Sequence, residues 1–176
     1  MQAFGKNFFM IYINVKNKDA VYQFNRAFYS LLKKHLSPEK SPIFLCIGTD
    51  LATGDSLGPL IGYKLKGFNA SIYGNLQSPV HAKNLKETIE QIYKEHKNPF
   101  IIAIDAGLGT SVGYLTIGEG SIKPGGALGK NLGEIGHMHI TGIVNKNGGV
   151  NALQNTRLGL VMQMADIVSD GILEKH

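Results

Sequence analysis

One cysteine, Cys46, and no tryptophan occur among the 176 residues. A lone thiol excludes an intramolecular disulfide, and its place inside an apolar run makes packing its expected role. A reducing, cytoplasmic setting is therefore expected. Long apolar runs are also missing: none approaches the ~20 residues needed to cross a bilayer, so a membrane partner is not expected. The N-terminal run Phe8-Phe9-Met10-Ile11-Tyr12-Ile13 leads into Asn14 and Lys16 without a small-residue cleavage site, which argues against a signal peptide. Charge of either sign is modest, with 18 basic and 13 acidic residues and a formal net charge of +5. The lysines are scattered, and no nucleic-acid motif or aromatic stacking cluster accompanies them, so nucleic acid is not an expected partner.

What the chain does have is a globular composition, 43% hydrophobic, in a length that suits one domain over residues 1–176. The sequence leaves homo-oligomerisation open. Its 22 glycines follow no short repeat and read as turns and close backbone approaches. Ala20, Val21, Phe24, Ala27, Phe28, Leu31 and Leu32 recur at helical spacing, predicting an amphipathic helix over 20–35 capped by Asp19. Further helices are predicted over 56–67, from Leu85 to Asn98-Pro99, and over 150–173. Strands are predicted at 43–47, 71–74, 100–104, 113–118 and 138–144, with 8–15 as an extended edge segment within residues 1–18. This alternation predicts an α/β fold with a mostly parallel sheet covered on both faces.

Two of the strands are continuous apolar runs, as expected for strands buried on both sides. Ile43-Phe44-Leu45-Cys46-Ile47 precedes the segment Gly48 to Pro59, which contains Asp55; Phe100-Ile101-Ile102-Ala103-Ile104 runs directly into Asp105. Ligands of open α/β sheets bind beyond the carboxyl ends of such strands. If the two strands are neighbours, Asp55 and Asp105 converge on one cleft, as an acid/base pair or as oxygen ligands for a divalent metal ion. Gly54, Gly107, Gly125 and Gly126 are the expected substrate-lining positions. His137 and His139 alternate on a predicted strand and so share a face; they are candidate metal ligands, and His81 is a further candidate for the cleft.

Two short motifs mislead. Gly54-Asp55-Ser56-Leu57 spells an esterase signature, yet the serine stands too far beyond its strand and no C-terminal Asp-x-x-His pair follows. Without a base and its orienter Ser56 has no means of activation. Gly125-Gly126-Ala127-Leu128-Gly129-Lys130 lacks the first glycine and the hydroxyl residue of a phosphate-binding loop.

A longer pattern is more specific. Gly48-Thr49 with Thr53-Gly54-Asp55-Ser56-Leu57-Gly58-Pro59, then Ala103-Ile104-Asp105-Ala106-Gly107-Leu108, then Ile122-Lys123-Pro124-Gly125-Gly126-Ala127-Leu128-Gly129-Lys130-Asn131 occur in that order. Together they resemble the spore germination protease superfamily, which includes the hydrogenase maturation peptidases, over about residues 43–145. In size and wording the chain is most similar to the YyaC sporulation protein family. The resemblance implies a three-layer, phosphorylase/hydrolase-like α/β/α sandwich with catalytic Asp55 and Asp105. It implies hydrolysis of a peptide bond in a protein substrate, in the cytoplasm of a sporulating cell or forespore. By the same resemblance a divalent metal would add His137 or His139 to the aspartates. The competing expectation is a catalytically silent binding or regulatory module on the same fold.

Overall fold

The computed structural model describes residues 9–125 and 131–174. Its elements in chain order are β1 (Met10–Asn14), α1 (Ala20–His35), β2 (Ile43–Cys46), a short 3-10 helix (Thr53–Ser56), α2 (Leu57–Lys64) and β3 (Ser71–Tyr73). They continue with α3 (Leu85–Glu95), β4 (Ile101–Leu108), β5 (Tyr114–Glu119), β6 (Met138–Asn145), α4 (Gly149–Gln154) and α5 (Leu158–Leu173). Six strands form one sheet in the order β1-β5-β6-β4-β2-β3. The pairings of β2 with β3, β2 with β4 and β4 with β6 are parallel, whereas β5 runs antiparallel to both β1 and β6. The fold is thus mixed α/β and mostly parallel.

Alternation along the central strands sends side chains to two cores. Phe44, Cys46, Ile102 and Ile104 join α1, α2 and α5 through Phe24, Phe28, Leu57, Ile61, Val161 and Val168. Ile43, Leu45, Ile101 and Ala103 face the other way, onto Leu85 and Ile92 of α3. A strand buried on both faces has no polar side to spare, which is why β2 and the start of β4 read as unbroken apolar runs. Burial holds Cys46 as a thiol, its pKa pushed up to about 12 by desolvation, in keeping with a packing role.

Three expectations need correction. Asp19 occupies the cap position of α1 but makes no capping hydrogen bond; its carboxylate instead accepts from Gln23 Nε2 at 2.9 Å. The helix expected over 150–173 is two, α4 and α5, separated at Asn155–Arg157. Thr156 Oγ1 there donates to Ala152 O at 2.7 Å and receives Asn145 Nδ2 at 3.3 Å. Hydrophobic spacing continues across the break, so periodicity alone conceals it. Finally, β4 does not stop before Asp105 but runs through it to Leu108, because β6 continues to pair with it there.

Candidate functional site

The first acidic residue is placed by a closed loop. β2 ends at Cys46, and Gly48 turns the chain with φ 136°. The Thr49 N–H then donates to both the Asp55 carbonyl at 3.0 Å and Asp55 Oδ2 at 3.1 Å. A Cβ on Gly48 would lie 2.0 Å from the Asp55 carbonyl oxygen, so the loop closes only around glycine. Asp55 lies in the 3-10 helix that runs into α2, where the N-terminal end of the helical backbone favours an ionised carboxylate.

The second acid sits on the sheet itself. Asp105 pairs in register with Thr141 of β6 and is only 8% exposed. Its Oδ1 accepts the Ala106 N–H at 2.9 Å. Burial holds the Asp105 carboxyl well above the usual carboxylate range, and the nearby charge of Asp55 pushes it further the same way. The backbone N–H groups of Ala106 and Gly125 oppose the shift without cancelling it. Gly125 is delivered by a loop anchored at the reciprocal bridge Ile122 to Ile135, 2.9 Å in each direction. Asp105 therefore keeps its proton through a pH range in which an ordinary aspartate has lost it.

Asp55 and Asp105 line one cleft of about 300 Å³, together with Gly107, Lys123, Gly125 and Thr141, and with Leu108, Ile122 and Leu153 as its apolar wall. Larger hollows of about 440 Å³ beside β3 and α3 and about 680 Å³ along α1 are lined by no carboxylate, whereas those of about 420 Å³ and 370 Å³ are lined by Glu90 and by Asp166 and Asp170. The smaller cleft is the candidate site because it joins an unusual proton affinity to a concave, partly apolar wall.

The remaining sequence candidates divide clearly. Gly107 and Gly125 line the cleft. Gly54 does not: a Cβ there would meet Thr156 Oγ1 at 2.8 Å and Leu153 Cα at 3.0 Å, so its glycine serves packing. Gly126 lies outside the described residues. His81 lines the hollow beside β3. The buried Ser56 hydroxyl donates to Thr53 O at 2.6 Å, and no histidine is hydrogen-bonded to it among the described residues.

Neither His137 nor His139 lines the cleft. His137 Nδ1 accepts the Ile101 N–H at 3.0 Å and its ring stacks on Phe100. His139 is 4% exposed, with Nδ1 3.2 Å from Gly120 O and Nε2 buried without a partner among the described residues. Those residues contain no cluster of three His, Cys, Asp or Glu able to hold an ion. Among the described residues Asp55 and Asp105 are the acidic side chains lining the cleft, so a divalent cation held there would take the rest of its oxygen ligands from water or substrate.

Burial depresses the pKa of His139 below that of an ordinary histidine, against the raising effect of its Gly120 hydrogen bond. A lowered folded-state pKa favours the neutral ring, so its contribution to stability is present above about pH 6.5 and is lost as pH falls through the folded value. NMR titration should show the His139 imidazole charging below pH 6.5. His139→Phe should flatten the acid limb of the stability curve; an unchanged acid limb would remove His139 as its source.

Lys123, Thr141 and Leu153 are cleft residues that the sequence reading missed. Lys123 sits within a motif already noted, but a lysine in a loop looks like any solvated lysine. Thr141 follows from the β4–β6 register, and Leu153 from the break between α4 and α5, neither of which the sequence displays.

Comparison with known proteins adds two findings. The profile of the family described as "Protein of unknown function (DUF1256)" matches residues 12–171. Over 168 residues the chain is 47% identical to a Bacillus subtilis (strain 168) protein described as "Uncharacterized protein YyaC", covering 92% of this chain and 81% of that relative.

Proposed function

The chain belongs to the DUF1256 family, and we propose that it is a sporulation-associated peptidase that hydrolyses a peptide bond of a protein substrate with Asp55 and Asp105. The observation that carries this reading is a buried carboxyl, its proton held by burial and by a second carboxylate, facing that carboxylate across one cleft. The resemblance to the germination protease superfamily supports the choice of substrate class and of a sporulating cell. No described helix is long and apolar enough to cross a membrane.

The acid pair divides the chemistry by charge. Asp55, ionised, takes a proton from a water lying between the two groups. The hydroxyl oxygen attacks the peptide carbonyl carbon while the Asp105 proton passes to the carbonyl oxygen. As the tetrahedral carbon collapses, its hydroxyl proton returns to Asp105, the C–N bond breaks, and the proton held by Asp55 moves to the departing amine. Leu108, Ile122 and Leu153 exclude water from one side of this path. The steps run through the acid pair because the cleft joins a carboxyl that holds its proton to a second carboxylate.

The test is cleavage of proteins extracted from sporulating cells, followed by labelling of new N-termini. Wild type should generate a defined set of new termini, and a chelator should leave that set unchanged. Ser56→Ala should keep most of the activity, since its hydroxyl is spent on Thr53 O. Asp55→Asn should generate none. Full turnover by Asp55→Asn would end the acid-pair mechanism, and loss of cleavage on chelation would demand a metal. Should wild type cleave nothing while wild type and Asp55→Asn capture the same partner, the silent binding module would be the better reading.

A further inference from the structure

We propose that the β1 edge of the sheet is a dimer interface, pairing antiparallel with β1 of a second copy about a two-fold axis at Tyr12. The inference is independent of the hydrolytic reading. Among the described residues, β1 has a neighbour on one side only, and it is the longer of the two sheet edges, five residues against three in β3.

The hydrogen-bond parity of β1 fixes what that edge presents. Phe9 O accepts the Glu119 N–H and the Val15 N–H donates to Gly113 O, both toward β5. In an antiparallel ladder each residue turns its N–H and C=O to the same side, and successive residues alternate. Residues 9, 11, 13 and 15 are therefore committed to β5, and Met10, Tyr12 and Asn14 turn their backbone groups outward. The Asn14 carbonyl already accepts the Asn17 N–H at 3.0 Å, where the chain turns away and pairing must stop.

This outward set is self-complementary. Centred on Tyr12, it gives two reciprocal Tyr12 to Tyr12 bonds and two from an Asn14 N–H to the Met10 carbonyl of the other copy. The same register sets the Tyr12 rings side by side on one face, a favourable cross-strand pair. Natural edges are usually blunted by charge, proline or a bulge. From Phe9 to Val15 there is no charged residue and no proline, and the β1–β5 register is unbroken. A neutral strand repels no identical strand.

Surface area sets the strength. Phe9, Met10 and Tyr12 are 56%, 41% and 57% exposed. Large side chains of this kind bury about 150–250 Å² each, so the three leave roughly 250–300 Å² per copy to be covered. Two copies give about 500–600 Å² of side-chain area, so even with the paired backbones the interface stays below the roughly 1,000 Å² at which stable specific interfaces begin. The dimer should accordingly dissociate on dilution.

Sedimentation of the full chain should give twice the 19.1 kDa chain mass at about 100 µM and the single mass near 1 µM, as the small area requires. Tyr12→Pro removes an N–H that faces outward, a position where edge strands tolerate proline; Tyr12→Lys adds a gatekeeping charge without touching the backbone. Both should be monomeric at about 100 µM, and Tyr12→Lys should keep the wild-type unfolding midpoint at about 1 µM, where the wild type is also monomeric. Tyr12→Cys should crosslink on oxidation, since directly paired Cα atoms lie about 5.5 Å apart, whereas Leu51→Cys, 88% exposed elsewhere, should not. A wild type that stays monomeric throughout, or that instead binds phospholipid vesicles through this strand, overturns the proposal. So does a dimer that survives Tyr12→Lys.

Discussion

Replacing Asp105 by asparagine is expected to lower hydrolysis by about 10²–10⁴-fold, the usual contribution of a positioned acid, while making the fold more tolerant of alkali. The two effects have one cause. Burial and the charge of Asp55 raise the Asp105 pKa in the folded chain above its ordinary value. A group with a raised folded-state pKa contributes stability that is present below its unfolded pKa and is lost as pH rises through the folded value. The Asp105 contribution should therefore be lost progressively above about pH 4, the unfolded value of an aspartate, until Asp105 ionises, so the wild type should lose stability relative to Asp105→Asn over that range. Asparagine has no proton to lose, so the gap between its urea midpoint and that of the wild type should widen in its favour as pH rises. Midpoints measured between pH 4 and pH 9 for both proteins decide the matter. Parallel curves would mean that Asp105 is not the strained acid, and the division of roles between the carboxyls would fall with it.

The second large effect is expected from Gly48→Ala. A methyl group there would stand 2.0 Å from the Asp55 carbonyl oxygen, and the backbone at φ 136° is one that side-chain-bearing residues rarely adopt. The clash cannot be relieved by a rotamer change, since an alanine methyl has none and the oxygen it meets belongs to the backbone. The loop from Thr49 to Asp55 must open, giving up both bonds from the Thr49 N–H. Strain of this kind together with a lost hydrogen-bonded loop costs about 3–5 kcal/mol. In a chain of this size that is a fall of roughly 10 °C in the unfolding midpoint. Cleavage should drop as well, because Asp55 leaves its place even in molecules that remain folded. A variant with wild-type melting and turnover would show that the closed loop does not position the acid.

The central strands were legible because double burial leaves a plain mark: apolar runs at 43–47 and 100–104 could be little else. The helix at 20–35 was equally open to reading, since its stripe repeats faithfully on one side. The acid pair was visible because Asp55 and Asp105 follow those two strands, which prove to be direct neighbours. What escaped notice depends on distant partners. Whether β4 ends at Ile104 or continues to Leu108 is settled by β6, and the break between α4 and α5 by Asn145 and Thr156. The histidines show the same limit. Alternation expected both on one face of a strand, but His137 precedes β6 and only His139 lies in it; nor could alternation disclose that the Nδ1 of His137 receives the Ile101 N–H.

The packing of Gly54 against Leu153 and Thr156 carries a consequence for biosynthesis. The loop that aims Asp55 is translated early, but the surface it leans on belongs to the segment between β6 and α5, which holds the last cleft-lining residue in chain order, Leu153. A nascent polypeptide still on the ribosome can pair β2 with β4 and bring the two aspartates onto adjacent strands. It cannot seat the loop or supply the Leu153 wall until those late residues emerge, and domains generally complete folding as units. The cleft is thus withheld from the growing chain, and an interrupted translation product carries both carboxyls without the arrangement that sets them apart.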